Sequence, residues 1–185
     1  MNLPNKLTIM RVILIPFFVF FLLSPYFPAY GNYIAVAIFI VASLTDMLDG
    51  KIARKYNLVT NFGKFMDPLA DKLTHGAIAL CLAFRYEAMR YLVALMLVKE
   101  GFMAVMGLIN LRHGKKLDGA KWFGKVCTAS LFVVLCMLVL FPGISLGAAE
   151  TLIYLEIGIM AGTLLLYIPE FRKMRKNWEQ EESRC

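Results

Sequence analysis

Apolar runs of about twenty residues recur along the whole chain, and that recurrence limits its fold more than any other feature. A helix rises about 1.5 Å per residue, so crossing about 30 Å of hydrocarbon takes roughly 20 apolar residues. Six stretches qualify, at about 8–25, 32–54, 62–86, 88–112, 120–141 and 148–170, with Pro and Gly in several of the breaks between them. The composition agrees, with 59% hydrophobic and only 18% charged residues, against about 25% charged in soluble domains. Lipid must therefore be part of the solvent. The expected fold is all-α: a polytopic membrane protein of six transmembrane helices, one integral membrane domain over residues 1–185. A short N-terminal interfacial segment, Asn2 to Lys6 with Pro4, is expected to precede the first span.

Several other classes fall away. Cys81, Cys127, Cys136 and Cys185 have no paired spacing, and three of them lie in apolar runs, so neither a CxxC metal site nor a disulfide scaffold is indicated. The first apolar run is followed by no small-x-small cleavage site, which makes it a retained span rather than a signal peptide. The net charge of +7 would suggest nucleic acid on a soluble protein, but its placement follows membrane topology instead. Sixteen Lys and Arg fall on one side of the six spans and two, Arg85 and Arg90, on the other, with Lys72 and Lys99 inside spans. The positive-inside rule then puts both termini in the cytoplasm, in the cell membrane. The cationic rim also suits anionic headgroups and phosphorylated substrates.

Carboxylates gather at that rim. Asp46 and Asp49 stand three apart at the cytoplasmic end of the second span, and Asp67 and Asp71 four apart at the start of the third. Each spacing puts both acids on one helix face. The short link from Lys55 to Asn61 makes the two helices antiparallel neighbours, so all four can converge near the headgroups. An ionised Asp inside a span costs about 2.5–3.5 kcal/mol on insertion scales, so the group needs compensation. Salt bridges to Arg54, Lys64 and Lys72 are one answer. Two divalent cations, Mg²⁺ or Mn²⁺, are the other, since hard oxygen ligands suit them and a metal pair can clamp an in-line displacement at phosphorus. Gly50 and Ala53 leave room beside Asp49 for a flat base or sugar, and Arg54 offers a planar fork for phosphate oxygens. Gly63 is explained equally well by close helix packing.

The run Asp46-x2-Asp49-Gly50-x2-Ala53-Arg54-x8-Gly63-x3-Asp67-x3-Asp71 resembles the signature of the CDP-alcohol phosphatidyltransferase family at all eight of its positions. The opening Asn2-Leu3-Pro4-Asn5-Lys6-Leu7-Thr8-x2-Arg11 is similar to that of the family's bacterial phosphatidylglycerophosphate synthases and related cardiolipin synthases. So is Asn57-Leu58-Val59-Thr60-Asn61-Phe62-Gly63. The likeness is close over residues 1–73 and loose at Phe123-Gly124-Lys125. It implies a six-helix membrane enzyme, usually dimeric, with its active site open to the cytoplasm and no nucleic-acid partner. By the same resemblance, Asp46, Asp49, Asp67 and Asp71 would bind two divalent ions. Gly50, Ala53 and Arg54, with Thr8 and Gly63, would hold CDP-diacylglycerol. Asp71 would take the proton from the acceptor hydroxyl, which attacks the phosphorus bearing diacylglycerol as CMP leaves.

The acceptor half is less plain. Arg11, Lys125, Arg112 and Lys121 are the bases that could meet a phosphorylated acceptor such as glycerol-3-phosphate. Yet Cys127 stands where the family often has a second Lys, and Lys99-Glu100-Gly101 where Arg-Glu-Phe is usual. A thinner basic pocket favours phosphatidylglycerol as an alternative acceptor, giving cardiolipin. A divalent-cation channel or transporter is a third reading, but it predicts acids spread through the membrane and has no use for Gly50, Ala53 and Arg54. Lys99, Glu100 and Glu156 are ionisable groups inside spans, which either pair as structure or face an acceptor cavity. His75, one turn beyond Asp71, is expected to pack beside the polar cluster more readily than to carry protons or bind metal.

Overall fold

The computed structural model describes the backbone of residues 3–24, 26, 30–55, 61–112 and 121–182; within these, the side chains of 3–7, 46–55, 61–65, 68, 111–112 and 176–182 are outside the description. Six helices follow one another without a strand among the described residues: α1 Leu3–Leu23, α2 Gly31–Lys55, α3 Asn61–Ala83, α4 Glu87–Arg112, α5 Trp122–Leu140 and α6 Leu146–Glu182. The segments 87–110, 122–140 and 146–175 are long and apolar enough to cross a bilayer, and 8–23 and 31–45 are shorter apolar stretches. Outward-facing side chains such as Phe17, Phe20, Leu97, Leu108, Leu155 and Leu165 are exposed, the pattern of helices solvated by lipid. The chain is a multi-pass membrane protein.

Two element boundaries differ from the expected ones. The residues expected as an interfacial segment are helical from Leu3 onward and continuous with α1, whose apolar stretch begins at Thr8. Pro4 is no obstacle there, because the first turn of a helix leaves its N–H groups unbonded in any case. Within α1, Pro16 is also accommodated. Helix α6 runs twelve residues past the expected end at 170, through Pro169. A proline removes one backbone bond, which a well-packed helix survives, and the Lys-, Arg- and Glu-rich tail beyond it consists of strong helix formers.

The chain forms two compact units. The first comprises residues 1–86 and 135–145, the second residues 87–134 and 146–185, so the end of α5 belongs to the first and the rest of it to the second. In the first unit α1 packs on both α2 and α3. Ala35, Ala42, Ala70 and Ala79 are buried there, and small residues of this kind let membrane helices approach closely. Phe18 meets Phe39 edge to face at 6.3 Å. The turn between α3 and α4 is closed by the amides of Arg85 and Tyr86, both bonded to the Leu82 carbonyl at 2.9 Å. Arg85 also donates to the Pro142 carbonyl, tying that turn to the end of α5.

In the second unit α4 packs on α6, with Phe102 against Phe171 at 5.6 Å and Phe123 of α5 against Tyr167 at 4.7 Å. Gly124 suits that contact, since a Cβ there would crowd the Tyr167 hydroxyl and force it to shift.

Candidate active site

The site begins with the helix period on α3. Asp67 and Asp71 lie four residues apart and so share a face, while Ala70, Thr74 and Ile78, at the same spacing, form the buried stripe beside them. The Thr74 hydroxyl returns to the Ala70 carbonyl at 2.8 Å, which lets a polar side chain sit inside the packing at no loss of hydrogen bonding.

Helix α1 supplies what α3 lacks. Thr8 and Arg11, three apart on one α1 face, are both buried, at 0% and 3% exposure. Thr8 Oγ1 donates to Asp67 Oδ1 at 2.5 Å, a short bond of the kind expected when the acceptor is a carboxylate. Arg11, one turn further along, lies with Lys72 within electrostatic reach of the Asp71 carboxylate. Among the described residues α1 packs on both α2 and α3, and α2 meets α3 at Phe39 and His75, as expected of neighbouring helices.

His75 completes the group. Its Nδ1 lies 2.9 Å from the Asp71 carbonyl oxygen and 3.3 Å from Asp71 Oδ1. The His75 side chain is 7% exposed, whereas that of Asp71 is 41% exposed. Asp71 thus meets a buried imidazole through Oδ1 while its side chain remains partly exposed.

A divalent ion suits what is described. The donors are carboxylates, hard ligands that magnesium and manganese prefer, and Asp67 and Asp71 are each steadied through Oδ1 by a neighbouring side chain. Among the described residues no group of three or more His, Cys, Asp or Glu is assembled. The backbones of Asp46, Asp49, Gly50, Ala53 and Arg54 are helical in α2 and that of Gly63 in α3, but the side chains lie outside the described residues, as does that of Arg112.

The acceptor candidates fall in both units. Arg11 belongs to the carboxylate group in the first unit. In the second, Lys121 Nζ is 3.4 Å from Glu170 Oε2, and Lys125 is exposed. Lys99 pairs with Glu100 at 3.0 Å, the structural role open to them. Glu156 does not follow: it is 1% exposed, and neither carboxylate oxygen has a hydrogen-bond partner among the described residues.

Two contacts escaped the sequence. Thr8 was read as a lipid-nucleotide contact, and its partner Asp67 lies 59 residues away, a separation that no local periodicity reports. The i,i+4 relation of Asp71 and His75 is visible in the sequence; the signal that would have found the bond is the reach of a histidine Nδ1 to the preceding turn.

A sequence model of the CDP-alcohol phosphatidyltransferase family matches residues 1–167. The chain is 34% identical to a Bacillus subtilis protein named CDP-diacylglycerol–glycerol-3-phosphate 3-phosphatidyltransferase, over 96% of each chain. It is 37% identical to proteins of the same name from Escherichia coli K12 and Salmonella paratyphi A, over 77% of this chain and 79% of theirs. Carboxylate pair, eight-position pattern and overall likeness agree: this chain belongs to the CDP-alcohol phosphatidyltransferase family.

Proposed function

We propose that this chain transfers the phosphatidyl group of CDP-diacylglycerol to sn-glycerol-3-phosphate, yielding phosphatidylglycerophosphate and CMP, as a step of phospholipid biosynthesis. The observation that carries the reading is the pair Asp67 and Asp71 on one face of α3, each oriented through Oδ1 by a buried neighbour, inside the eight-position pattern. The names of its relatives point to the same donor and acceptor.

Residues 1–185 act in this reading as one catalytic domain, working as a homodimer with both termini and the site on the cytoplasmic side. Two Mg²⁺ or Mn²⁺ ions, held by Asp46, Asp49, Asp67 and Asp71, would supply charge neutralisation at the pyrophosphate. Gly50 and Ala53 give the cytidine room against the α2 backbone, Arg54 grips phosphate oxygens with its fork, and Gly63 permits close approach at the start of α3. Thr8 keeps the Asp67 carboxylate in place. Asp71 accepts the proton of the acceptor hydroxyl, since an alcohol is a weak nucleophile until a base within hydrogen-bond reach takes that proton. The lipid tails stay in the bilayer while the headgroup meets a water-soluble acceptor.

Phosphatidylglycerol is the second acceptor to consider. The observation favouring it is that two of the bases in the second unit are already engaged, Lys121 by Glu170 and Lys99 by Glu100. Purified protein with Mn²⁺, CDP-diacylglycerol and the two acceptors side by side tests both readings. CMP release with phosphatidylglycerophosphate as the lipid product, identified by mass, is expected. Cardiolipin as the product would transfer the assignment to the second acceptor, and no CMP release with either would refute phosphatidyl transfer.

A further inference from the structure

His75 is not among the eight positions of the pattern, yet it touches the residue on which the chemistry depends. A carbonyl oxygen can only accept a hydrogen bond, so the 2.9 Å contact with the Asp71 carbonyl puts the proton on Nδ1. The same N–H is 3.3 Å from Asp71 Oδ1 and is shared between the two acceptors. In the regular helix that carbonyl also receives the backbone N–H of His75. The imidazole is thus anchored to the Asp71 backbone and reaches the Asp71 carboxylate from there.

The ring has little freedom to leave. The residue is 6% exposed, and its imidazole stands edge to face against Phe39 of α2, with centroids 5.7 Å apart and planes at 83°. Phe39 is itself 2% exposed and packs against Phe18 of α1. Phe39, itself backed by Phe18, therefore holds the imidazole plane, and the imidazole holds the carboxylate. The ring engages Oδ1, while the Asp71 side chain as a whole remains 41% exposed.

We infer that His75 is a positioning residue for Asp71: its Nδ1–H holds one carboxylate oxygen and thereby sets the other toward the acceptor hydroxyl and the cation. A leucine at this place would fill the space and leave the carboxylate to choose its own rotamer. The inference rests on the phosphatidyl-transfer reading of Asp71. It adds a device peculiar to the helix turn after the signature, built from Asp71, His75 and Phe39.

The test compares His75→Leu and His75→Asn with the wild type and with Asp71→Asn, each checked for monodispersity and thermal stability in detergent. CMP release gives kcat and KM for both substrates, and the electron paramagnetic resonance signal of added Mn²⁺ gives metal affinity without turnover. For His75→Leu, kcat falls about 10–100-fold, the usual effect of losing a group that orients a ligand, while both KM values stay within about twofold. Mn²⁺ binding weakens about tenfold on the same grounds. His75→Asn, whose amide N–H can reach one turn back, recovers most of both losses. Wild-type kcat and Mn²⁺ affinity in a stable His75→Leu protein would overturn the inference. So would a His75→Asn protein as impaired as His75→Leu, which would assign His75 to packing alone. A wild-type protein that releases no CMP would instead refute phosphatidyl transfer, and the Mn²⁺ comparison would still decide whether His75 orients Asp71.

Discussion

The two units of the molecule treat their acids in opposite ways. In the first, Asp67 and Asp71 are each held through Oδ1, by Thr8 of α1 and His75 of α3, and the Asp71 side chain stays partly exposed. In the second, Glu156 is sealed into α6 at 1% exposure with no hydrogen-bond partner among the described residues. Lys99 is within electrostatic reach of it but sits 3.0 Å from Glu100. Ser130 also lies near, but its hydroxyl donates to the Cys127 carbonyl at 3.0 Å. A carboxylate that must meet a ligand needs one oxygen fixed and one face free; a carboxylate with neither is a cost to the fold.

The largest test of this contrast is Asp71→Asn. The amide keeps the shape and the contact surface but cannot take a proton from an alcohol. CMP release should fall by about 10²–10⁴-fold, the range of general base catalysis, with the protein as stable as the wild type. Activity within a few fold of wild type would show that the open carboxylate of the first unit is not the base.

Next in size is the tether on Asp67. Thr8→Val removes the hydroxyl at nearly constant volume, so Asp67 loses a fixed partner while the packing of α1 on α3 survives. We expect about tenfold lower activity at limiting Mn²⁺, partly restored by raising its concentration. Thr8→Ser, which keeps the donor, should stay close to wild type. A Thr8→Val protein with unchanged Mn²⁺ dependence would break the link between the tether and the site.

A smaller effect separates the two lysines of the second unit. Lys125 is exposed, and Lys121 already faces Glu170. Lys125→Ala should raise KM for glycerol-3-phosphate by about three- to fivefold, the size of a solvent-exposed ion pair. Lys121→Ala should change it less, because that charge is balanced before the acceptor arrives. The reverse order would assign the acceptor phosphate to Lys121.

Much of this architecture could be read from the residues. The apolar runs gave six helices because hydrocarbon thickness fixes span length, and the four-residue spacing of Asp67 and Asp71 gave a shared face because the helix period does. What escaped depends on the register between helices. Nothing near Thr8 announces Asp67, and whether His75 touches Asp71 depends on a ring plane set by Phe39 of another helix. The last span was expected to end at about 170, where its apolar run stops, but α6 continues to Glu182 through Pro169, since a proline inside a packed helix need not end it. The isolation of Glu156 was equally hidden: counting charges inside spans finds Lys99, Glu100 and Glu156, but only the packing shows that the first two take each other.

That isolation yields the last prediction. If Glu156 is a cost and not a working group, removing its carboxylate should help the fold. Glu156→Met has similar volume and no polar atom to satisfy, and an unsatisfied buried polar group costs about 1–3 kcal/mol. The melting temperature in detergent should therefore rise by a few degrees, with CMP release unchanged. Glu156→Gln is the control, since it removes the charge but keeps polar atoms, and it should fall between Met and wild type. A lower melting temperature for both variants would mean that Glu156 is paid for by a partner such as Lys99, and the contrast between the two units would then narrow to the openness of Asp71 alone.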